Sequence, residues 1–296
     1  MYTVAIDVGG TEIKYALFSE DAEIIEQSKV PTPYGKEKFK TVIIQIVQAF
    51  EENYSLDGLG LSLPGYINSK TGFAERGGAL MFLDQTNIIE LLKEDLSLPI
   101  FIENDANCAA LAESGFGHAV GVSDFLLLTV GTGIGGALYL DNKLYTGGQF
   151  KAGELGTMRI NYDTHPNKTL HEFAAMPPLI RNFKALNLPD TPERVTGEYI
   201  FEQAEQNKEV QQLIVDWVDT LCIGIFNIAV TLNPQKILIG GGVSANPKYL
   251  PLINERMTEI FAWDDFKVPI VACKFYNAAG VVGAYNLVKE NLSSNI

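Results

Sequence analysis

Residues 125–145 read FLLLTVGTGIGGALYLDNKLY, and the order within this stretch decides the fold. Phe125–Val130 is six residues of apolar and β-branched type, the pattern of a strand buried on both faces. Glycines follow at 131, 133, 135 and 136, so Gly131–Gly136 reads as a glycine-rich turn. Ala137–Leu140 is the returning strand and Asp141-Asn142-Lys143 the next turn. The same order opens the chain. Thr3–Asp7 is a short β-rich run, Gly9-Gly10 a turn, and Ile13–Ser19 a strand in which Ile13, Tyr15 and Leu17 alternate as on a half-buried face. The letters differ but the plan repeats at 3–19 and 125–145, so a duplicated fold is expected. Two familiar glycine motifs are excluded. No Gly-Lys-Ser or Gly-Lys-Thr follows, as a Walker A loop requires. A dinucleotide fingerprint needs a helix after differently spaced glycines, and here a strand follows.

Outward from these hairpins, the chain alternates strands and helices. The acidic turn Glu20–Glu23 predicts a hairpin. Between Lys36 and Tyr54, Phe39, Val42, Ile43, Ile46, Val47 and Phe50 fall on one helical face. Leu59–Leu63 is a strand ended by Pro64-Gly65. Ile88–Leu96 reads as a helix, Ile100–Glu103 as a buried strand, and Asp105–Gly115 as a helix whose first turn carries an acid. Glu209–Leu232 is a long apolar helix, core or dimer interface, closed by Asn233-Pro234. Lys236–Ile239 leads into a third glycine turn, Gly240-Gly241-Gly242. Ala278–Lys289 is a helix able to pack back on the N-terminal lobe. No low-complexity linker separates the parts, so a hinge is expected near Ser114–Ser123. The resulting division is an N-terminal α/β lobe, 1–118 with the returning helix 280–296, and a C-terminal α/β lobe, 119–279.

The chain's 296 residues, 47% hydrophobic, suffice for two domains with their own cores. Its start, MYTVAIDVGG, reads as a strand running into a turn, with no basic segment or cleavage site of a targeting signal. No uninterrupted apolar stretch approaches the ~20 residues of a membrane span. Cys108, Cys222 and Cys273 are far apart in apolar contexts, which favours buried thiols in a reducing compartment over disulfides. The expectation is a cytoplasmic protein without a membrane partner. Acidic side chains outnumber basic ones 36 to 22, for a net charge of −14. That field disfavours nucleic acid as a partner, yet leaves room for an anionic nucleotide in a nest of backbone N–H groups. Trp217 and Trp263 are read as core.

Three segments carry candidate chemistry. In Asp7-Val8-Gly9-Gly10-Thr11 the glycines let backbone approach a ligand, Thr11 adds a hydroxyl, and Lys14 follows within reach of a phosphate. Asp7, at a strand end, suits a hydrated Mg²⁺. Alone, this motif does not beat a plain hairpin. Three glycine turns together suit a nucleotide spread across a cleft. In Glu103-Asn104-Asp105, a carboxylate at a strand-to-helix junction is either an N-cap or a base accepting the proton of an attacking hydroxyl. Asn104 offers a donor and an acceptor to a sugar hydroxyl. Glu154, held between Gly153 and Leu155-Gly156, is either a second hydroxyl clamp or a solvated loop acid.

The order of these pieces resembles the ROK family (repressors, open reading frames and sugar kinases) of the actin-like ATPase superfamily. The matching segments are DVGGTEIK (7–14), LGLSLPGYIN (59–68), ENDANCAALAE (103–113), the run from Thr129 to Gly156, ILIGGGV (237–243) and AGVVGA (279–284). The resemblance covers essentially the whole chain. It implies an α/β fold of two actin-like, ribonuclease H-like lobes around an interdomain cleft, ATP and Mg²⁺ as cofactors, and a small-molecule sugar as substrate. Asp7, Gly9, Gly10, Thr11, Lys14, Thr132 and Gly133 would contact phosphates or metal, and Gly241 and Gly242 would sit near the adenosine. Asn104, Asp105, Glu154, Gly65 and Gly78 would bind the sugar, with Asp105 as base. A homodimer is also implied.

The chain departs from the family pattern at two places. Thr157 stands where most members have a histidine three residues after the glutamate matching Glu154. The segment Asn161–Met176 lacks the cysteines of the family's zinc loop, and His165 and His171 alone do not supply the roughly four ligands of a zinc site, so no structural zinc is expected. The family's third sugar-binding glutamate falls near His171 or Glu172 and stays unassigned. Loss of the loop, with PGYIN…GGAL (64–80) and VTGEYIF (195–201), resembles most the β-glucoside kinase branch, which phosphorylates the 6-hydroxyl of the non-reducing glucose in cellobiose-type sugars. The alternatives are a kinase for glucose or N-acetylmannosamine, a sugar-sensing repressor, disfavoured by the acidic charge and the strand beginning at Thr3, and a nicotinamide-dependent dehydrogenase, disfavoured by the strand after Gly136. Met81 and Phe150 are read as packing residues, with the wall of a sugar pocket as the second reading.

Overall fold

The computed structural model describes residues 1–161 and 163–293, so the end of the expected helix 280–296 lies outside the described residues. The chain forms two compact units. The first comprises Met1–Val120, Thr146–Ala152 and the stretch from Asn277; the second comprises Gly121–Tyr145 and Gly153–Tyr276.

In chain order the first unit contains β1 (Tyr2–Val8), β2 (Glu12–Phe18), β3 (Ile24–Pro31), α1 (Lys36–Glu51) and β4 (Leu56–Leu63). The short strands β5 (Tyr66–Asn68), β6 (Phe73–Arg76) and β7 (Thr86–Asn87) follow, then α2 (Ile88–Lys93), β8 (Ile100–Asn104) and α3 (Asp105–Phe116). The second unit contains β9 (Phe125–Val130), β10 (Ile134–Leu140), β11 (Lys143–Leu144), α4 (Leu170–Ala174), α5 (Met176–Ala185), α6 (Gly197–Gln203) and α7 (Lys208–Leu232). It ends with β12 (Lys236–Gly240), α8 (Tyr249–Met257), α9 (Trp263–Phe266) and β13 (Ile270–Ala272), after which α10 (Ala279–Ser293) rejoins the first unit.

Each unit is built on a five-stranded sheet of the same plan. The orders are β3-β2-β1-β4-β8 and β11-β10-β9-β12-β13. In each, three strands run as an antiparallel meander and two more add in parallel on the other side of the first strand. The duplication read from the two hairpins therefore extends to the whole sheet, matching the expected α/β class.

Side-chain alternation explains the layers. In β4, Leu59, Leu61 and Leu63 join the core cluster that includes Phe39, Ile43 and Val47 of α1. The intervening positions, Gly58 and Gly60, face α10: a methyl on Gly60 would lie 2.1 Å from the Ala284 carbonyl oxygen. Likewise a methyl on Gly283 would lie 1.8 Å from the Cys108 carbonyl oxygen, so α10 and α3 meet backbone to backbone. That close seating buries Val281–Val288 and brings the start of α10 beside the end of β1. All three cysteines are free and buried.

One reading of the sequence is corrected. The turn after β9 is only Gly131-Thr132-Gly133, because β10 begins at Ile134 and pairs Gly135 with Thr129 and Gly136 with Leu128. Gly136 is a glycine for another reason: a methyl there would sit 2.5 Å from Leu155 Cδ1 and 2.8 Å from the Gly153 oxygen. The long apolar helix α7 has the length and composition to cross a membrane. Half of its apolar window is buried inside the protein, and Trp217 Nε1 donates to the Ala175 oxygen at 3.0 Å. It is a core helix, closed by Asn233 in the left-handed conformation at φ 44°.

Candidate active site

On the first unit the acids gather where β1, β4 and β8 end. Asp7 lies opposite Ser62 in the parallel β1–β4 register and opposite Lys14 in the antiparallel β1–β2 register. Ser62 Oγ donates to Asp7 Oδ1 at 2.7 Å. Gly280 in the first turn of α10 permits the carboxylate to approach: a methyl there would lie 2.2 Å from Asp7 Oδ1. Burial raises the Asp7 pKa, while the Ser62 hydroxyl and the Lys14 ammonium act the other way. Lys14 Nζ donates to the Asn277 oxygen at 3.2 Å. The hairpin turn beyond Asp7 is closed by Gly9 N–H donating to the Glu12 oxygen at 3.0 Å, and Thr32 Oγ1 holds the Gly9 oxygen at 2.7 Å. Gly10 and Thr11 are exposed at its tip, with Gly10 packed toward Ala79.

At the β8–α3 junction the cap is Asn104, not Asp105. Asn104 Oδ1 accepts from the N–H groups of Ala106 at 2.9 Å and Asn107 at 3.3 Å, and Asn104 Nδ2 donates to the Gly65 oxygen at 2.9 Å. Asn104 is thus largely committed, with one amide N–H left to donate. Relieved of capping by side-chain reach, Asp105 is the first helical residue. Its carboxylate accepts from Ala106 N–H at 2.8 Å and stays solvent-accessible. Crowding by surrounding protein nevertheless desolvates it, and with the nearby Asp7 charge this pushes its pKa up to about 6.

Gly65 and Gly78 sit back to back at φ 99° and 58°, where a methyl on Gly65 would collide with the Arg76 oxygen at 2.1 Å. Their role in the fold is to present the Gly65 carbonyl to Asn104. Sequence reasoning passed over Glu103, which is buried and accepts from Asn104 N–H at 2.7 Å and Asn107 Nδ2 at 2.9 Å. It fixes the junction from beneath, and burial raises its pKa. The available signal was an acid ending an otherwise apolar strand.

On the second unit a cavity of about 510 Å³ opens at the ends of β9 and β12. Gly131, Thr132, Gly242 and Val243 line it, together with Phe201 and Lys248. Thr132 and Gly242 are thereby brought together. Gly241 serves the backbone instead: at φ 85°, a methyl on it would sit 2.2 Å from the Val130 oxygen. Gly242 faces open space, with no atom within 4 Å of where a methyl would be. Gly133 packs under His171, whose Nδ1 accepts from Ile134 N–H at 3.3 Å. Hence His171, and not Glu172, abuts this turn; Glu172 reaches back to Thr169 N–H at 2.9 Å in a capping box. His165 is engaged elsewhere, 2.9 Å from Thr164 Oγ1 and edge-on to Phe173. Glu154 precedes a 3₁₀ turn in which Thr157 Oγ1 donates to the Glu154 oxygen at 2.7 Å, so Thr157 closes its own turn.

The residues fit the groups the sequence implies. Asp7 is a carboxylate at a strand end with Oδ1 held by Ser62, which suits a cation that keeps most of its water. The cavity beside Gly131-Thr132 and the open face of Gly242 is a cradle that any side chain at Gly242 would fill, as an adenine nucleotide requires. A bound Mg²⁺ would offset phosphate charge during transfer.

The chain is similar along its length to several known proteins. A β-glucoside kinase of Listeria monocytogenes is 35% identical over 98% of both chains. An N-acetyl-D-glucosamine kinase of Haemophilus influenzae is 31% identical over 94% of this chain and 96% of that one. Among solved structures, a ROK family protein of Streptococcus pneumoniae in complex with sucrose superposes with a TM-score of 0.85 and 26% identity, covering 100% of this chain and 99% of the other. The ROK family profile matches residues 3–291. This chain belongs to the ROK family.

Proposed function

We propose that the protein is an ATP-dependent sugar kinase that phosphorylates the 6-hydroxyl of the non-reducing glucose of a β-glucoside such as cellobiose. The observation that carries the kinase reading is Asp105, a solvent-accessible carboxylate at the head of α3 with its pKa pushed up to about 6. A base of that strength is ionised at neutral pH yet accepts a proton readily as a hydroxyl attacks phosphorus. Phosphoryl transfer otherwise asks mainly for positioning and charge stabilisation. Asn104 and Glu154 would hold sugar hydroxyls, with Gly65 and Gly78 shaping the loop beside them. Asp7, by way of Mg²⁺, with Gly9, Gly10, Thr11 and Lys14, would receive the phosphates. Thr132 and Gly133 would hold the nucleotide's phosphate end and Gly242 its adenosine, with Gly241 shaping the turn that presents Gly242.

The β-glucoside acceptor is supported by the β-glucoside kinase relative, the cysteine-free segment after Glu154, and the sucrose-bound family structure, whose ligand is also a disaccharide. The N-acetyl-D-glucosamine kinase relative favours a monosaccharide acceptor as the second reading. ADP release measured over cellobiose, gentiobiose, aryl β-glucosides, glucose, N-acetylglucosamine and N-acetylmannosamine separates the two. Asp105→Asn keeps the shape and should lower kcat by roughly 10²–10⁴-fold; near-wild-type turnover would refute the base.

A further inference from the structure

A second cavity, of about 380 Å³, lies wholly within the first unit between the β5–β6 hairpin and the segment Thr146–Ala152. Three aromatic rings line it, Tyr66, Phe73 and Phe150, together with the polar side chains of Asn68, Glu75 and Gln149. Its wall is tied down. Lys151 Nζ donates to Glu75 Oε1 at 2.8 Å and lies 5.2 Å from the Tyr66 ring centroid, and Lys70 Nζ lies 5.9 Å from that of Phe150. Phe150 is held in the left-handed region at φ 56°, a conformation that a bulky residue adopts only when its surroundings impose it. The cavity begins one residue from the Gly65 carbonyl that receives Asn104 Nδ2, and Asn104 adjoins Asp105.

We propose that this cavity is the subsite for the second ring of the acceptor, the sugar or aryl group β-linked to the glucose being phosphorylated. The inference rests on the β-glucoside reading above and assigns it residues. A pyranose has apolar C–H faces and a rim of hydroxyls, and an aryl aglycone has an apolar face alone. Aromatic rings with a few polar groups between them match both, at a volume within the range of small-molecule sites. The polar groups are available: Asn68 Oδ1 is taken by the N–H groups of Lys70 and Thr71, which leaves its NH₂ to donate. Gln149 makes no hydrogen bond among the described residues and is exposed at the rim. A void left by poor packing would not collect three rings and three polar side chains one residue from the loop that meets the cap of α3.

The test is kcat/KM for cellobiose and for glucose in wild type, Phe150→Ala, Tyr66→Ala and Gln149→Ala. Loss of one stacked ring should lower the cellobiose-to-glucose ratio about tenfold, equivalent to ~1.4 kcal/mol. Gln149→Ala, at an exposed position, should lower it about threefold and serves if the aromatic variants do not fold. Ratios within twofold of wild type, with cellobiose still a substrate, would overturn the subsite and leave the kinase assignment standing. A wild-type enzyme that turns over glucose and no β-glucoside would overturn the acceptor reading and the subsite with it.

Discussion

Lowering the pH from 7 to 5 should cut kcat/KM about tenfold, and the reason is the position of one carboxyl. Asp105 has its pKa pushed up to about 6 from the model-compound value of 3.8, first by the crowding protein that desolvates it and then by the charge of Asp7. With a pKa near 6, the ionised fraction is about 0.9 at pH 7 and about 0.1 at pH 5. With the unperturbed value it would still be about 0.9 at pH 5, and the rate would barely move. The assay is coupled-enzyme or direct ADP measurement under kcat/KM conditions, at constant ionic strength and saturating magnesium. Nucleotide phosphates also titrate near this range, so Asp105→Asn is the control: its residual rate should lack the acid limb. A wild-type profile flat between pH 5 and 7, or a limb retained unchanged in Asp105→Asn, would refute the reasoning.

The same shift has a consequence for stability. A carboxyl whose folded-state pKa lies above its unfolded value binds more protons when folded, so its ionisation costs stability, increasingly from about pH 4 up to pH 6. Asp105→Asn should therefore raise the melting temperature at pH 7, by about 2 °C for ~1 kcal/mol after discounting for the carboxylate's contact with water. The gain should fade toward pH 4; differential scanning calorimetry across that range checks both statements, and a destabilised variant at pH 7 contradicts them. Two neighbouring glycines should separate folding from nucleotide binding. Gly241→Ala drives a methyl to 2.2 Å from the Val130 oxygen at φ 85° and should cost about 1–3 kcal/mol of stability. Gly242→Ala meets nothing within 4 Å, so melting should hold while KM for ATP rises severalfold; equal effects of both substitutions would contradict the cavity's assignment.

The sheets were legible because β1 and β9 are predominantly apolar runs followed by glycines, and strand periodicity needs no tertiary information. The site was legible in part. Asp7 and Thr132 stand out because glycines beside them mark close backbone approach. The extent of the glycine turn at 131–136 was misread, since a glycine inside a strand looks like a turn until the chain that crowds it is known. For Gly136 that chain is Gly153 and Leu155. Asn104 and Asp105 are both good caps, and only the folded junction shows that Asn104 takes the role and leaves the Asp105 carboxylate outside it. Nothing in composition marks Thr146–Ala152 as part of the first unit. Its anchors, Lys151 to Glu75 and Phe150 to Lys70, lie more than seventy residues apart in the chain. His171 was flagged only as an ambiguous position, and its contact with Ile134 N–H depends on where α4 docks.

The most direct test of the central claim is the structure of the product formed from cellobiose, ATP and magnesium, read by ³¹P and ¹³C NMR. A single phosphate ester at the 6-position of the non-reducing glucose is the predicted result. Phosphate on any other hydroxyl, or an enzyme that phosphorylates monosaccharides and leaves every β-glucoside untouched, would contradict it.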